Sequence, residues 1–355
     1  MNVEQGPELA IAGWREQGAG LQTERLLGKS ADGVARAAEL LRGGGTVAFP
    51  TETVYGLGAN ALDAAAVGMI FAAKQRPAWD PVIVHVEGYE MLERVAEVPA
   101  GDKGCVVVKL MEAFWPGPLT LLLPRTAAIH DVVTAGRPLV GVRSPAHPVA
   151  RMLIRLAGVP LAAPSANRFG APSPTTAAHV LADLDGRIDA VLDGGATRVG
   201  VESTVLDVAA RTIYRPGAVT AEMISEAIGE EVRVVPSAGV VTLEAMASPG
   251  MGSRHYAPRA RLLLVAGQEE LLREVANHAA AKVGVMLPDG WNAGGAGAVW
   301  RWGPWTDAAT LARLLFAGLR MLDERGVKAI VCPVPTMNGL GEALRDRLEK
   351  AARTK

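Results

Sequence analysis

The chain has 355 residues, with 36 Lys and Arg against 37 Asp and Glu, and almost half its residues are apolar. That length favours two domains, since single cores stop growing well before it, and a formal net charge of −1 excludes a general polyanion binder. Cys105 and Cys332 lie far apart in different expected domains, which excludes a metal-ligand spacing and a disulfide framework and reads as reduced thiols in a cytoplasmic protein.

Residues 1–22 carry Glu4, Glu8, Arg15 and Glu16 and no apolar core, so they read as an N-terminal tail and not as a secretory signal. No apolar run approaches the ~20 residues of a membrane span. Ala31 to Arg42 forms an amphipathic helix with Val34, Ala38 and Leu41 on one face, stopped by Gly43-Gly44-Gly45. Residues 46–50 are a short apolar strand. Asp63 is placed to cap a helix running to Lys74. Residues 81–86 form a strand, and a helix from Asp102 to Phe114 ends at Trp115-Pro-Gly-Pro118. Leu119–Leu123 is a continuous apolar strand, and short strands follow near residues 139–142, 161–163, 190–192, 203–207 and 212–214. Strands and helices mix without strict alternation, which predicts an α/β fold with an open, twisted, mixed sheet and flanking helices. Residues 236–258 have no sustained period and read as a linker. Beyond them strands near 261–266, 283–287, 299–302 and 327–332 alternate with helices near 269–281, 306–324 and 341–353. This is a small Rossmann-like α/β domain without the G-x-G-x-x-G turn of dinucleotide binders.

No P-loop, Gly-x-Ser-x-Gly elbow or His-Glu-x-x-His occurs. Four other segments set polar groups beside turns. In residues 49–59 a strand ends at Pro50, and Thr51 and Thr53 could hold a small polar ligand. Lys74 and Arg76 stand where a helix must end before Pro77, and could meet phosphates as a point charge and a fork; His85 lies mid-strand beyond them. Ser165 and Asn167 enter a turn-rich loop, and a helix begins after Ser173 or Thr175, a placement that suits anions. Glu202-Ser203-Thr204 precedes Arg215-Pro216-Gly217, where Arg215 reads as an exposed fork on a turn. Taken alone, each segment reads more readily as ordinary turn or capping chemistry.

In combination and order they resemble the YrdC-like threonylcarbamoyl-AMP synthase family in its long two-domain form. The resemblance rests on Lys74-x-Arg76, Ser165-x-Asn167, the Pro-Thr-Glu-Thr-Val-Tyr-Gly-Leu stretch, Pro-Gly-Pro-Leu-Thr at 116–120, Glu-Ser-Thr, Arg-Pro-Gly, and Arg254-His-Tyr-Ala-Pro258, and spans residues 23–355. It implies a YrdC-like catalytic domain over 23–235, a linker and active-site lid over 236–259 that includes Arg254, His255 and Tyr256, and the Rossmann-like domain over 260–355. The implied reaction joins L-threonine, bicarbonate and ATP into threonylcarbamoyl-AMP and pyrophosphate, with Mg²⁺ on the phosphates. By the family pattern Thr53, His85, Arg143, Ala163 and Ser203 hold threonine and its carbamate. Lys74, Arg76, Asp80, Ser165, Asn167, Ser173 and Arg215 surround the nucleotide, with Lys74, Arg76, Ser165 and Asn167 as the catalytic set. Asp80 stands where the family often has Asn; an acid beside phosphates is unfavourable unless metal-bound or turned away. Gly252-Ser253 replaces a bulkier pair, which implies a looser lid. The product is expected to pass to the tRNA threonylcarbamoyl transferase machinery, with weak or no direct tRNA binding and no membrane contact. Two other readings keep the fold: a carbamoyl-transferring relative, which usually has further domains, and an RNA-binding module, which the net charge disfavours.

Overall fold

The computed structural model describes residues 21–235, 255–279 and 282–353. In chain order the first part contains β1 (Glu24–Leu27), α1 (Ala31–Arg42), β2 (Val47–Pro50), β3 (Tyr55–Asn60), α2 (Ala64–Lys74), β4 (Val84–His85), α3 (Tyr89–Glu93) and α4 (Asp102–Phe114). It continues with β5 (Leu119–Pro124), α5 (Asp131–Thr134), β6 (Leu139–Arg143), α6 (Pro148–Ala157), β7 (Leu161–Ala162) and α7 (Ala177–Leu184). It closes with β8 (Ala190–Asp193), β9 (Thr204–Asp207), β10 (Thr212–Arg215), α8 (Ala221–Ile228) and β11 (Arg233–Val234). The second part holds β12 (Arg261–Val265), α9 (Gln268–Ala276), β13 (Val283–Pro288), β14 (Ala298–Gly303), α10 (Ala308–Glu324), β15 (Ala329–Pro333) and α11 (Leu340–Ala352).

Local chemistry sets the helix ends. Ser30 accepts from the Gly33 amide to start α1, and Gly43 caps its other end. Asp63 accepts from the Ala65 and Ala66 amides to start α2, as its position before an apolar run predicts. The third segment's helix begins later than expected: Thr176, not Ser173 or Thr175, caps α7 by accepting from His179 N.

The first part forms an 11-stranded sheet ordered β1-β8-β2-β3-β7-β4-β6-β5-β9-β10-β11. Pairing is mixed: β2–β3, β3–β7 and β5–β6 are antiparallel, while β4–β6 and β5–β9 are parallel. The period of two sends Val47 and Phe49 to one face, against α1 and α6, and Ala48 to the other, against α2, α4, α7 and α8. The second part is a four-stranded parallel sheet ordered β12-β15-β13-β14. Val283, Val285 and Leu287 pack with α9, and Met286 packs with α10 and α11. This is the α/β mixed sheet plus small Rossmann-like α/β arrangement that the element pattern predicts.

The two parts share a core. Val54, Val201 and Tyr256 belong to the apolar cluster of α10 and α11. Gly200, at φ +84°, lies so close to α10 that a β-carbon there would stand 2.4 Å from the Ala312 carbonyl oxygen. Cys105 and Cys332 are both free thiols, as their separation predicts. Among the described residues no helix is long and apolar enough to cross a membrane.

Candidate active site

Strand ends and the loops that follow them converge on one cavity of about 50 Å³. β4 and β6 are parallel neighbours in register, with His85 beside Arg143, so both side chains reach the same place. The turn between β2 and β3 supplies Thr51 and Thr53. Ala163 and Ser165 follow β7, Arg76 follows α2, Ser203 precedes β9 and Arg215 ends β10; all line the cavity together with Glu202, His255 and Tyr256.

Arg143 is the hub of the end formed by β4 and β6. Its Nε donates to the Gly117 carbonyl at 3.1 Å, its Nη1 to Thr53 Oγ1 at 3.0 Å, and its Nη2 pairs with Glu52 at 2.6 Å. Thr51 Oγ1 lies 2.8 Å from Thr53 Oγ1 and donates to the Val54 carbonyl at 2.6 Å, which fixes the turn. Two of the five guanidinium N–H groups thus donate to protein atoms while Nη2 is held by charge alone, and the rest of the fork suits a carboxylate. His85 is 3% exposed, and desolvation, then the charge of Arg143, lowers its pKa to about 3. The imidazole is therefore neutral near pH 7.

The other end is cationic. Lys74 Nζ donates to the carbonyls of Ser165 and Asn167 at 2.5 Å each, and Asn167 Nδ2 donates to the carbonyls of Arg168 and Ala171. Burial, and then Arg76, pushes the Lys74 pKa well below its ordinary value. Arg76 donates to the carbonyls of Asp80 and Pro81, pairs with the Asp80 carboxylate at 2.9 Å, and lies over the Phe169 ring. Arg215 donates through Nε to the Ser203 carbonyl and through Nη2 to Ser203 Oγ, which also lies 2.8 Å from Thr120 Oγ1.

Several sequence expectations need correction. Arg215 is not an exposed fork: it is 4% exposed, because β10 ends inside the sheet. Gly217 allows this, since a β-carbon there would lie 2.4 Å from the Thr204 amide nitrogen. Asp80 does not line the cavity; it is turned away and neutralised by Arg76. Lys74, Asn167 and Ser173 stand behind the lining, and Ser173 Oγ donates to Glu202 Oε1 at 2.5 Å. Thr53, His85, Arg143, Ala163, Ser203, Arg76, Ser165 and Arg215 do come together. Glu202 was missed as a site residue, although it opens the Glu-Ser-Thr stretch. Of the expected lid residues, His255 and Tyr256 lie in the wall, while Arg254 and the Gly252-Ser253 pair fall outside the described residues.

Four lining residues bury polar atoms that have no hydrogen-bond partner: His85 Nδ1, His255 Nδ1, Tyr256 Oη and Arg143 Nη2, the last of which is ion-paired with Glu52. Each such atom costs about 1–3 kcal/mol, so their gathering at one cavity marks a polar ligand site. Desolvation, then Arg76 and Lys74, holds the His255 pKa well below its ordinary value.

Residues 39–217 match the family model of Sua5, YciO and YrdC proteins, described as "Telomere recombination". The chain belongs to that family. Residues 219–353 match a second model, described as "Threonylcarbamoyl-AMP synthase, C-terminal domain". The threonylcarbamoyl-AMP synthase of Pyrococcus abyssi is 44% identical over 326 residues, 89% of this chain and 93% of that protein. The Bacillus subtilis enzyme of the same name is 44% identical over 327 residues, covering 90% and 92%. The crystal structure of P. abyssi Sua5 complexed with L-threonine matches with a TM-score of 0.83 at 41% identity, over 93% of this chain and 97% of that one. The Sua5-type resemblance read from the motifs therefore holds over both sheets.

Proposed function

We propose that this chain is a threonylcarbamoyl-AMP synthase, a nucleotidyltransferase that joins L-threonine, bicarbonate and ATP into threonylcarbamoyl-AMP and pyrophosphate, supplying the threonylcarbamoyl group for tRNA modification. The near-full-length match to the P. abyssi and B. subtilis enzymes carries this reading. The cavity chemistry agrees with it. The carbamate formed on threonine's amine is already an anion, so its attack on the α-phosphorus needs no strong general base. Neutral His85 is consistent with that. The leaving pyrophosphate needs cations and donors, and Arg76 and Arg215 face the cavity with Lys74 behind them.

We assign Thr53, His85, Arg143, Ala163 and Ser203 to threonine and its carbamate, and Lys74, Arg76, Ser165, Asn167, Ser173 and Arg215 to the nucleotide. Arg143 would take the threonine carboxylate as a fork. The 50 Å³ cavity holds only a few waters, so nucleotide binding requires His255 and Tyr256 to move aside and their return to dry the site. Mg²⁺ enters this proposal on the ATP phosphates. Glu202, the cavity's carboxylate, is engaged by Ser173 and Arg347, and among the described residues no cluster of His, Cys, Asp or Glu could hold a metal. When bound, the ion offsets phosphate charge. The division into 23–235, 236–259 and 260–355, the hand-over of product to a tRNA-modifying transferase, weak or absent tRNA binding and a cytoplasmic location complete the proposal. The chain's net charge of −1 supports the hand-over over direct tRNA capture.

The test is direct: the purified chain with ATP, bicarbonate and Mg²⁺ should release pyrophosphate only when threonine is added. Release that ignores threonine, or none, would sink the reading.

A further inference from the structure

Helix α11 sends one side chain out of the four-stranded unit and into the wall behind the cavity. Arg347 is fully buried. Its Nε donates to Glu202 Oε2 at 2.9 Å, its Nη2 to the Glu202 carbonyl at 3.3 Å, and its Nη1 to the Pro216 carbonyl at 2.7 Å. The guanidinium carbon lies 5.6 Å from the centroid of the Tyr256 ring. Asp346 also accepts from Nη1, at 2.8 Å. One planar group therefore ties together three segments of the cavity: the Glu202 turn, the Arg-Pro-Gly turn behind Arg215, and the segment of Tyr256.

The connection runs on to the site. Glu202 passes it to Ser173 through the 2.5 Å hydrogen bond from Ser173 Oγ. The loop of Ser173 has a second brace from the same unit, because Arg320 of α10 donates to the Pro172 carbonyl and to Asp183. A buried ion pair is poor at adding net stability, and well-packed apolar residues often do as well. What a fork adds is geometry, because its N–H groups hold several acceptors at fixed separations.

We propose that Arg347 is a positioning residue for the nucleotide. It holds Glu202 and Pro216 in register, so that Ser173 and Arg215 meet ATP, and it seats the Tyr256 ring against the same site. The four-stranded unit thereby completes the ATP end of a cavity built on the other sheet. This rests on the reading of the cavity as an ATP site.

The experiment compares the full-length chain with Arg347→Met, Arg347→Lys, Glu202→Gln and the Glu202→Gln/Arg347→Met pair, by calorimetric titration with ATP and separately with threonine, and by KM and kcat for pyrophosphate release. Arg347→Met should weaken ATP binding and raise KM for ATP about tenfold or more, with a clearly smaller loss of threonine affinity, since Ser203 adjoins Glu202. Arg347→Lys should fall between, since an ammonium can pair with Glu202 but cannot also span to Pro216. In the double variant, Arg347→Met should weaken ATP binding less than it does alone. Unchanged ATP affinity in folded variants overturns the proposal; so does a joint, proportional loss of ATP and threonine binding, which marks simple loss of folded protein. Should Arg347→Met fail to fold, Arg347→Lys decides by the same criteria. A wild-type chain that binds ATP but makes no pyrophosphate overturns the proposed reaction and leaves the titration comparison to decide Arg347. A wild-type chain that binds no ATP overturns both.

Discussion

His85 and His179 are both held neutral by their surroundings, at about 3 and about 4, with desolvation the first cause in each case and the charges of Arg143 and Arg320 the next. In the unfolded chain both titrate near 6.5. Between pH 6.5 and those values the unfolded state binds more protons, so their contribution is fully present above pH 6.5 and is lost as pH falls. The urea midpoint should therefore drop steadily from pH 7 to pH 4.5. His85 alone accounts for about 2 kcal/mol at pH 5, and His179→Asn should flatten the profile; a midpoint that rises on acidification contradicts this. Lys74→Ala and Arg76→Ala should each cut threonine-dependent pyrophosphate release by at least ~10²-fold, because neutralising phosphate charge is the main catalytic contribution. Near-normal rates in both would count against the assignment. These two cations were legible as a spaced pair at a helix end. The partner that turns Asp80 away was legible too, four residues back, but only as one of several pairings an acid could make.

At the level of elements, β3 escaped the sequence reading because Gly56 and Gly58 sit in it, and glycine is depleted in strands. The structure supplies the reason for one of them: a β-carbon at Gly58 would lie 2.7 Å from Phe49 Cε1 on the neighbouring strand. Helix α1 was legible from its apolar spacing and glycine stop, α2 from its Asp63 cap and α4 from the Trp115-Pro-Gly-Pro118 stop, all of them local signals. Gly200 shows a tertiary demand on a loop. Gly200→Ala forces a side chain into the α10 backbone at φ +84°, and should lower unfolding stability by about 1–3 kcal/mol. Gly229 provides the control, since it has positive φ but nothing within 4 Å, and Gly229→Ala should cost about 1 kcal/mol or less. Equal losses in urea titrations of the two variants would mean that conformation, and not the contact with α10, sets the cost.

For the whole molecule, the cavity is built on the larger sheet and braced from behind by the four-stranded unit, and the proposed reaction takes its Mg²⁺ with ATP. Chelating Mg²⁺ at fixed ATP should abolish pyrophosphate release while leaving the unfolding midpoint unchanged, because Glu202 and Asp80 are neutralised by Arg347 and Arg76 and not by a metal. A chelator-induced loss of stability would point to a protein-held ion instead. The sequence by itself determined what local patterns encode: the division into two α/β units, the capped helices, most strands, and the order of motifs that ties the chain to its family. Only the tertiary structure decided that Arg215 is buried, that Ser173 reaches its neighbours through Glu202, and that Arg347 braces the far sheet. The physical reason is separation. Arg347 meets Glu202 and Pro216 across 145 and 131 residues, and a buried fork carries no periodicity, cap or turn signal to announce which distant carbonyl or carboxylate it will hold.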